Sequence, residues 1–301
     1  MVKKLTIGIV TMNRENKLRN ALKSCISCEL PKETEFVIID NASTDNTHQV
    51  VDDVLEKSGY SYTYYYSKKN IGAGGGRNLY FEKAKGEYIY GMDDDAIIDS
   101  SNNPDFFMRA LWYMDNYPRI ATLATQIFDE MWNENRQKIN GKEIYPGIYQ
   151  CRMFCGGSHF LRKRVFKYPP YLSNKYGYEE LPPSLMAYDF KYINAFCPDL
   201  LAIHQPDFNK WDYTDKRNLN QLIMECSSPY VIKLKMYPCI FHPLLQIANV
   251  YRCYKYIPKE NGNKKKVKNQ IKKAKQNYKI EYTLSVSTVF RMVRDFGLSV
   301  F

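Results

Sequence analysis

The sequence lacks a long uncharged apolar run. The nearest approach, residues 237–250, is shorter than the roughly 20 residues that a membrane-spanning helix requires, and it contains His242 and two prolines. The first apolar run, of about eight residues, leads into Arg14 and Glu15 and not into a small-residue cleavage site. We therefore expect neither a membrane-spanning helix nor a secretory signal.

Cysteine is too sparse for a disulfide-stabilised domain. The eight thiols do not form the dense, even framework of a small secreted protein. Cys25 and Cys28 make a C-x-x-C pair, but no second Cys pair or Cys-His pair stands at zinc spacing. We expect reduced thiols in a cytoplasmic protein, with Cys25 and Cys28 buried on a helix.

Acidic residues become scarce towards the end of the chain. Residues 251–301 contain 13 Lys/Arg and three Asp/Glu, a net charge of +10 out of the total of +11. A basic segment beside a neutral body predicts contact with an anionic surface, which is membrane lipid or nucleic acid. No nucleic-acid recognition motif accompanies the charge, so the membrane is favoured, and a solvated face or a flexible linker is the alternative. The aromatic residues expected to enter its interface are Tyr278, Tyr282, Phe290 and Phe296.

Strand and helix patterns alternate in the first hundred residues. Apolar, β-branched runs predict buried strands at 5–11, 36–39, 62–66 and 87–92, with helical patterns between them, the first capped by Asn13. Strands separated by helical patterns of about 10–15 residues indicate an α/β fold with a mostly parallel sheet.

The pattern is less regular after residue 100. It predicts helices at 104–116, after Glu180 and at 211–227, and strands at 120–125 and 199–203. From residue 229 onward the chain reads as helical and basic.

Polar residues directly follow three of the predicted strands. Ligands of parallel sheets gather at the carboxyl ends of the strands, so these residues are candidates for a binding site. They are Thr11, Asn13 and Arg14 after the first strand, Asp40 and Asn41 after the second, and Asp93, Asp94 and Asp95 after the fourth.

The three consecutive aspartates predict a metal site. Like charges repel at close range, and burial makes their ionisation costlier. A divalent cation removes the repulsion, and oxygen ligands suit Mg²⁺ or Mn²⁺. A solvent-exposed acidic turn is the alternative, but the triplet follows a buried strand and leads into the apolar residues 96–98.

A glycine-rich segment lies between the third strand and the next helix. Small residues from Asn70 and Gly72 onward let backbone approach a ligand closely, and Arg77 can meet a diphosphate. A dinucleotide-binding fingerprint should follow the first strand and be followed by a single acid, so this segment does not match that fold.

Four motifs in this order resemble family 2 glycosyltransferases of GT-A fold. They are Ile-Val-Thr-Met-Asn-Arg at 9–14, Ile-Asp-Asn-Ala-Ser-Thr-Asp at 39–45, Asn-Ile-Gly-Ala-Gly-Gly-Gly-Arg at 70–77, and Met-Asp-Asp-Asp at 92–95. The resemblance implies a GT-A fold, Rossmann-like with a mostly parallel sheet. It also implies that Thr11, Asn13 and Arg14 line the nucleotide pocket, that Asp40 contacts base or ribose, and that Asp93 and Asp95 are the outer members of a metal-binding DxD.

The second half is similar to the galactofuranosyltransferase and rhamnosyltransferase branch. The likeness rests on Tyr178-Glu179-Glu180 and His204-Gln205-Pro206, followed by Lys210, Tyr213 and Arg217-Asn218. It implies that the acidic pair supplies the catalytic base and that His204 is a further metal ligand. The likeness is weaker at 100–175, where Gly156, Gly157 and Ser158 stand at the expected acceptor site.

The residue types suit these roles without the family. Inverting sugar transfer needs one carboxylate to take the proton of the acceptor hydroxyl. Glu180 is the candidate base, Glu179 the alternative and Asp189 a third choice. Arg217 either binds a phosphate or pairs with an acid.

Together these observations predict a nucleotide-sugar-binding half at 1–100, an acceptor-binding half at 101–227 and a helical, basic C-terminal extension at 228–301. The expected nucleotide-sugar donor carries UDP in preference to dTDP. The expected acceptor is a cell-surface glycan or a lipid-linked glycan, reached from the inner face of the cell membrane. A homo-oligomer is left open. The competing interpretations are a metal-dependent sugar-phosphate nucleotidyltransferase and a non-catalytic adaptor of transferase fold.

Overall fold

The computed structural model describes residues 3–174, 177–206 and 218–301. The strands there are β1 (Lys3–Thr11), β2 (Thr34–Asp40), β3 (Ser61–Tyr66), β4 (Gly86–Asp93), β5 (Ala96–Ile98), β6 (Ile120–Asp129), β7 (Glu134–Asn135), β8 (Glu143–Tyr145), β9 (Ile148–Gln150), β10 (Ser158–Arg162) and β11 (Ile193–His204). The α-helices are α1 (Glu15–Ile26), α2 (Thr47–Leu55), α3 (Gly72–Lys83), α4 (Phe106–Asn116), α5 (Leu181–Asp189), α6 (Leu219–Met236), α7 (His242–Tyr256), α8 (Asn263–Asn277) and α9 (Val286–Phe296).

The strands form one sheet in the order β3-β2-β1-β4-β10-β6-β11-β9-β8, with β5 beside β11 and β7 beside β6. The neighbours from β3 to β4 are all parallel, as the alternation of strands and helices predicts. Because β1, β2 and β4 run in the same direction, their carboxyl ends meet at one edge, where the polar residues lie.

Helices α1 and α2 bury apolar residues in the core beneath the sheet. Helix α1 directs Leu18, Ala21, Leu22 and Cys25 into the core, at helical spacing. Cys25 on α1 and Cys28, two residues beyond its end, are both buried, and all eight cysteines are free thiols.

Three local expectations need correction. Asn13 does not cap α1, because its Oδ1 accepts the Thr44 amide at 2.7 Å, and Arg14 occupies the cap position. The predicted strand at 199–203 is the end of the longer β11. Strand β10 was not expected, and it is antiparallel to both β4 and β6.

The C-terminal helices form a second apolar core with α5. Leu181 and Leu185 of α5 pack there with Val231 of α6 and Val289 of α9. The predicted boundary at residue 227 falls inside α6, and the division into three parts stays a prediction.

The expected membrane-facing aromatic residues are mostly engaged in this core. Tyr278 is buried and bonded to Ser228, Tyr282 donates to Asp189, and the Phe296 ring lies 5.8 Å from that of Tyr188. Of the four, only Phe290 is largely exposed. In the described part of the chain, no helix has the length and apolar character needed to cross a bilayer.

Candidate active site

A cavity of about 530 Å³ opens at the shared carboxyl edge of β1 and β4 and at the start of α3. Nine of the ten residues expected to bind the nucleotide-sugar donor line it, and so do Asp95, His204 and Glu179. The nine are Thr11, Asn13, Arg14, Asn41, Asn70, Gly72, Arg77, Asp93 and Asp94. The sequence-predicted edge of the sheet is therefore a concave site.

Asp40 lies behind the wall of this cavity. Its carboxylate accepts the Ser43 amide at 2.7 Å and the Tyr64 hydroxyl, and it is 1% exposed. In this arrangement Oδ1 holds the loop after β2 and Oδ2 binds β3, and the carboxylate does not line the cavity.

Arg14 neutralises one part of the aspartate triplet. Its Nη1 lies 2.8 Å from both Asp94 Oδ1 and Asp95 Oδ2, and the Thr11 hydroxyl donates to Asp94 Oδ2 at 2.7 Å. Burial raises the pKa of Asp94 to about 6, against the opposing effect of Arg14 and with a contribution from Asp95. The loop after β1 is thus tied to the loop after β4 by charge-assisted hydrogen bonds.

Arg77 neutralises the other part. Arg77 as a whole residue is 5% exposed. Its guanidinium contacts Asp93 at 2.6 Å, Glu179 at 2.9 Å and Glu180 at 3.1 Å. Three carboxylates therefore occupy the group that was expected to meet a diphosphate. Arg77 lines the cavity as the partner of these acidic residues, and its contact with a diphosphate stays a prediction.

The acidic pair reaches Arg77 through a sharp turn before α5. Gly177 and Tyr178 both have positive φ, 83° and 63°, and the tyrosine is a residue that rarely adopts this conformation. Glu180 then occupies the cap position of α5, with prolines in the first turn. The strained turn places both carboxylates on one guanidinium.

Burial sets the protonation of the cluster. Desolvation and the neighbouring Glu179 raise the pKa of Glu180 to about 8, although Arg77 opposes the shift. Desolvation also disfavours ionised Asp93, but Arg77, His204 and Arg136 outweigh it and hold the pKa of Asp93 below its ordinary value. Glu180 therefore has a pKa near neutral pH and lies beside an ionised Asp93. Such a pair is typical of an acid–base residue next to a residue that binds a charge.

Arg136 and Asp129 also belong to the site, and the sequence patterns did not predict their role. Asp129 ends β6, and its Oδ2 lies 2.8 Å from Arg136 Nη2 and 3.1 Å from His204 Nδ1. A lone arginine in a loop-rich stretch gives no periodic signal. For Asp129 the available signal was its place at a strand end, which becomes visible only when β6 is extended to its full length.

The side chains present fit a cation held together with a substrate. Asp95 Oδ1 and His204 Nε2 lie 3.4 Å apart, close to the roughly 3 Å between neighbouring ligands on Mg²⁺ or Mn²⁺. The described residues contain no preformed cluster of three or more His, Cys, Asp or Glu side chains for a metal. Such cations commonly use one or two carboxylates plus phosphate oxygens, so a two-residue site is adequate.

The glycine-rich segment forms the first turns of α3 and packs closely. Gly72 has φ +79°, which glycine adopts without strain. A Cβ on Gly74 would overlap the Leu172 carbonyl, and one on Gly76 would press on Val10. Gly76 therefore lets α3 approach β1, Gly74 lets it approach the segment at Leu172, and Gly72 lines the cavity.

A second cavity of about 560 Å³ adjoins the first, and Arg136 lines both. Glu180 and Gly156 face this second cavity, whereas Glu179 faces the first. A Cβ on Gly156 would overlap Glu180 Oε1 and Arg77 Nη1, so glycine is needed there. The two glutamates thus line different cavities, although both accept a hydrogen bond from Nη1 of Arg77.

The expected acceptor residues are only partly placed at this cavity. Gly157 is held by its backbone, since its carbonyl accepts the Asp93 amide at 3.0 Å. Ser158 is fully buried in β10 and bonded to Tyr90 and Thr125, which corrects its expected contact with an acceptor. Sequence could not show this, because the pairing of β10 with β4 is between distant segments.

Two further candidates lie elsewhere. Asp189, at the end of α5, accepts from Tyr282 and Ser285 and is therefore structural. Arg217 and the neighbouring residues Lys210 and Tyr213 lie outside the described residues.

Solved structures with this fold include two with bound nucleotide sugars. The chain resembles residues 1–349 of TarS from Staphylococcus aureus in complex with UDP-GlcNAc, with a TM-score of 0.65, 14% identity, and coverage of 99% of this chain and 89% of that one. It also resembles the mannosyltransferase PcManGT from Pyrobaculum calidifontis in complex with GDP-Man and Mn²⁺, with a TM-score of 0.61, 16% identity, and coverage of 100% and 81%. The expected α/β fold of GT-A type is confirmed.

Sequence similarity covers a shorter part. An uncharacterised glycosyltransferase of Haemophilus influenzae is 28% identical over 94 residues, which are 31% of this chain and 37% of that protein. The family model described as glycosyl transferase family 2 matches residues 6–169, more than half of the sequence. The chain therefore belongs to glycosyl transferase family 2.

Proposed function

We propose that this protein is an inverting, metal-dependent glycosyltransferase that moves a hexosyl unit from a nucleoside diphosphate sugar to an acceptor hydroxyl. The observation that carries the proposal is the pair of adjoining cavities with one charge cluster between them. Glu179 lines the first cavity, Glu180 the second, and Arg77 binds both. Two substrates that react with each other need this arrangement.

The first cavity is the proposed site of the nucleotide-sugar donor. It is lined by loop residues after β1 and β4, and by the start of α3, whose amide groups favour anions. Arg14 and Arg136 are the cations at its wall that could meet a diphosphate. The solved complex of TarS with UDP-GlcNAc supports UDP as the first nucleotide to test.

Asp95 and His204, with Asp93 beside them, would hold Mg²⁺ or Mn²⁺ in this cavity. When bound, the cation supplies neutralisation of the charge that develops on the departing diphosphate. The protein adds Arg136, which lies against Asp129 and His204 and lines both cavities.

Glu180 is the proposed general base. It faces the second cavity, and its carboxylate would accept the proton of the acceptor hydroxyl as the bond to the sugar forms. Arg77 orients Glu180 and holds Glu179 on the side of the first cavity. Glu179 Oε2 is buried without a hydrogen-bond partner among the described atoms, so it is available to a hydroxyl of the transferred sugar.

The finer assignments are also proposals. Tyr178-Glu179-Glu180 and His204-Gln205-Pro206 carry the likeness to galactofuranosyl- and rhamnosyltransferases, so galactofuranosyl, galactosyl and rhamnosyl donors come first. The proposed acceptor is a cell-surface glycan or a lipid-linked glycan.

Nucleotide binding tests the metal site. Calorimetry with UDP should show binding that requires Mn²⁺, and Asp95→Ala should abolish the Mn²⁺ dependence because it removes a direct ligand. Undiminished metal-dependent binding by the variant would place the cation elsewhere.

A reaction assay tests the activity. Incubation with a panel of nucleotide sugars, Mn²⁺ and glycan acceptors should release nucleoside diphosphate together with a new glycoside. Formation of a nucleotide sugar from a sugar phosphate and a nucleoside triphosphate would instead establish a nucleotidyltransferase.

A further inference from the structure

Helix α7 exposes an apolar face away from the active site. Its outward side chains, with Ile240 in the turn before it, are 47–70% exposed and recur at intervals of four and three residues. They are Ile240, Leu244, Ile247, Tyr251 and Tyr254, with Val250 beside them. We call these six residues the α7 stripe.

The α7 stripe is unusual for this protein. Within the described residues, 18 large hydrophobic side chains are exposed, and seven of them lie in the 17 positions from Ile240 to Tyr256. The opposite face of α7 is fixed to the body of the protein, because Leu245 is buried in the core shared by α5, α6 and α9. A contiguous apolar surface on a well-anchored helix indicates an interaction site.

The charge around the stripe identifies its partner. Residues 226–259 contain five Lys/Arg and no Asp/Glu. Lys259 Nζ lies 4.9 Å from the centre of the Tyr254 ring, and Lys255 Nζ lies 5.1 Å from that of Tyr256. Tyrosine and lysine side by side at the margin of an aliphatic surface suit the boundary between acyl chains and anionic headgroups.

A second copy of this chain suits the stripe less well. Self-association would bring together two surfaces of the same positive sign, which repel. Helix α7 is 15 residues long, about 22 Å, so it offers only two heptads to a partner helix.

We propose that the α7 stripe is the membrane-docking surface of this protein, on which α7 lies flat in the headgroup region of an anionic lipid bilayer. The surface differs from the one expected from the sequence, where the lysines of α8 and the aromatic residues after them were to make the contact. It does not depend on glycosyl transfer, so its test can fail while the proposed function holds.

Point variants test the surface without dismantling the core. The full chain is sedimented with vesicles of phosphatidylcholine alone and of phosphatidylcholine mixed with phosphatidylglycerol. We expect binding to the mixed vesicles that weakens with salt. The variant I247E/Y251E should bind them at least about tenfold more weakly, because it places two charges in the apolar interface. The variant K255E/K259E should bind the mixed vesicles about fivefold more weakly for each lysine removed.

Helix α4 offers a matched control. Met108 and Trp112 are 43% and 54% exposed there, with the same spacing as Ile247 and Tyr251. The variant M108E/W112E adds the same charges elsewhere and should keep vesicle binding within about twofold of the parent, since α4 has no part in the docking surface. Calorimetry with UDP and the far-ultraviolet circular dichroism spectrum should be unchanged in all variants, which separates docking from folding.

Three outcomes would overturn the proposal. They are no binding of the parent to mixed vesicles, equal loss in I247E/Y251E and M108E/W112E, and a dimer in analytical ultracentrifugation that I247E/Y251E dissociates while vesicle binding is unaffected. The last would assign the stripe to a second copy.

Discussion

Arg14 and Arg77 each hold buried carboxylates at the same edge of the sheet, but in different ways. Arg14 has a side chain that is 16% exposed and binds two adjacent aspartates of the turn after β4. The Arg77 side chain is 6% exposed and joins Asp93 to an acidic pair that lies 102 and 103 positions after the arginine. Arg14 is thus the more accessible of the two to a ligand that competes for its aspartate partners. Arg77 instead joins the distant segments that form the site.

The strongest test of this difference removes the carboxylate that Arg77 directs to the second cavity. We expect Glu180→Gln to lower kcat by about 10²- to 10⁴-fold, the usual contribution of a general base. The affinity for the nucleotide-sugar donor should be retained, because the group acts in the transition state. Initial rates and calorimetry measure the two effects.

Glu179→Gln is the matched control, since it changes the neighbouring carboxylate, which binds the same Arg77 nitrogen but lines the first cavity. It should alter donor affinity more than turnover. An inactive Glu179→Gln beside an active Glu180→Gln would move the base by one position.

A second test compares the two arginines directly. Arg77→Met leaves three carboxylates without their counter-ion and should lower the free energy of unfolding by about 3–5 kcal/mol. Arg14→Met should cost less, about 1–3 kcal/mol, because Asp94 keeps the Thr11 hydroxyl. Urea unfolding measures both. Equal losses would show that the two arginines have equivalent structural roles.

A third test uses pH. The pKa of Glu180 is raised to about 8, so its basic form is the minor one at pH 7 and increases as the pH rises. The value of kcat/KM should therefore increase up to about tenfold per pH unit below pH 8 and level off above it. Residual activity of Glu180→Gln should lack this rise. A flat profile for the parent enzyme would exclude Glu180 as the titrating base.

The first hundred residues were well predicted from the sequence, for a physical reason. The strands β1, β2 and β4 are buried on both faces, so they appear as continuous apolar runs, and their ends are marked by polar residues such as Thr11 and Asp93. Two of the three pairings in this half of the sheet, β1 with β2 and β2 with β3, join successive strands, and all three are parallel. Local patterns therefore predict both the elements and the edge where the site lies.

The remaining features depend on contacts between distant segments. Ser158 was expected at the acceptor site because nothing local shows that β10 enters the sheet beside β4. Arg77 looked like a phosphate ligand because its partners Glu179 and Glu180 are remote in sequence. The α7 stripe has the apolar spacing of a buried helix face, and only the packing shows which face is covered.

Helix α5 has a consequence for the construction of chimeric enzymes. It carries Glu180 at its first turn and ends at Asp189, which binds Ser285 at the start of α9. Tyr188 of the same helix donates to Asp295. A chimera that exchanged the segment after residue 227 would divide α6 between two proteins. It would also replace the residues of α6 and α9 that α5 packs against. Interchangeable modules in this protein must therefore keep α5 together with α9, although about a hundred positions separate them in the chain.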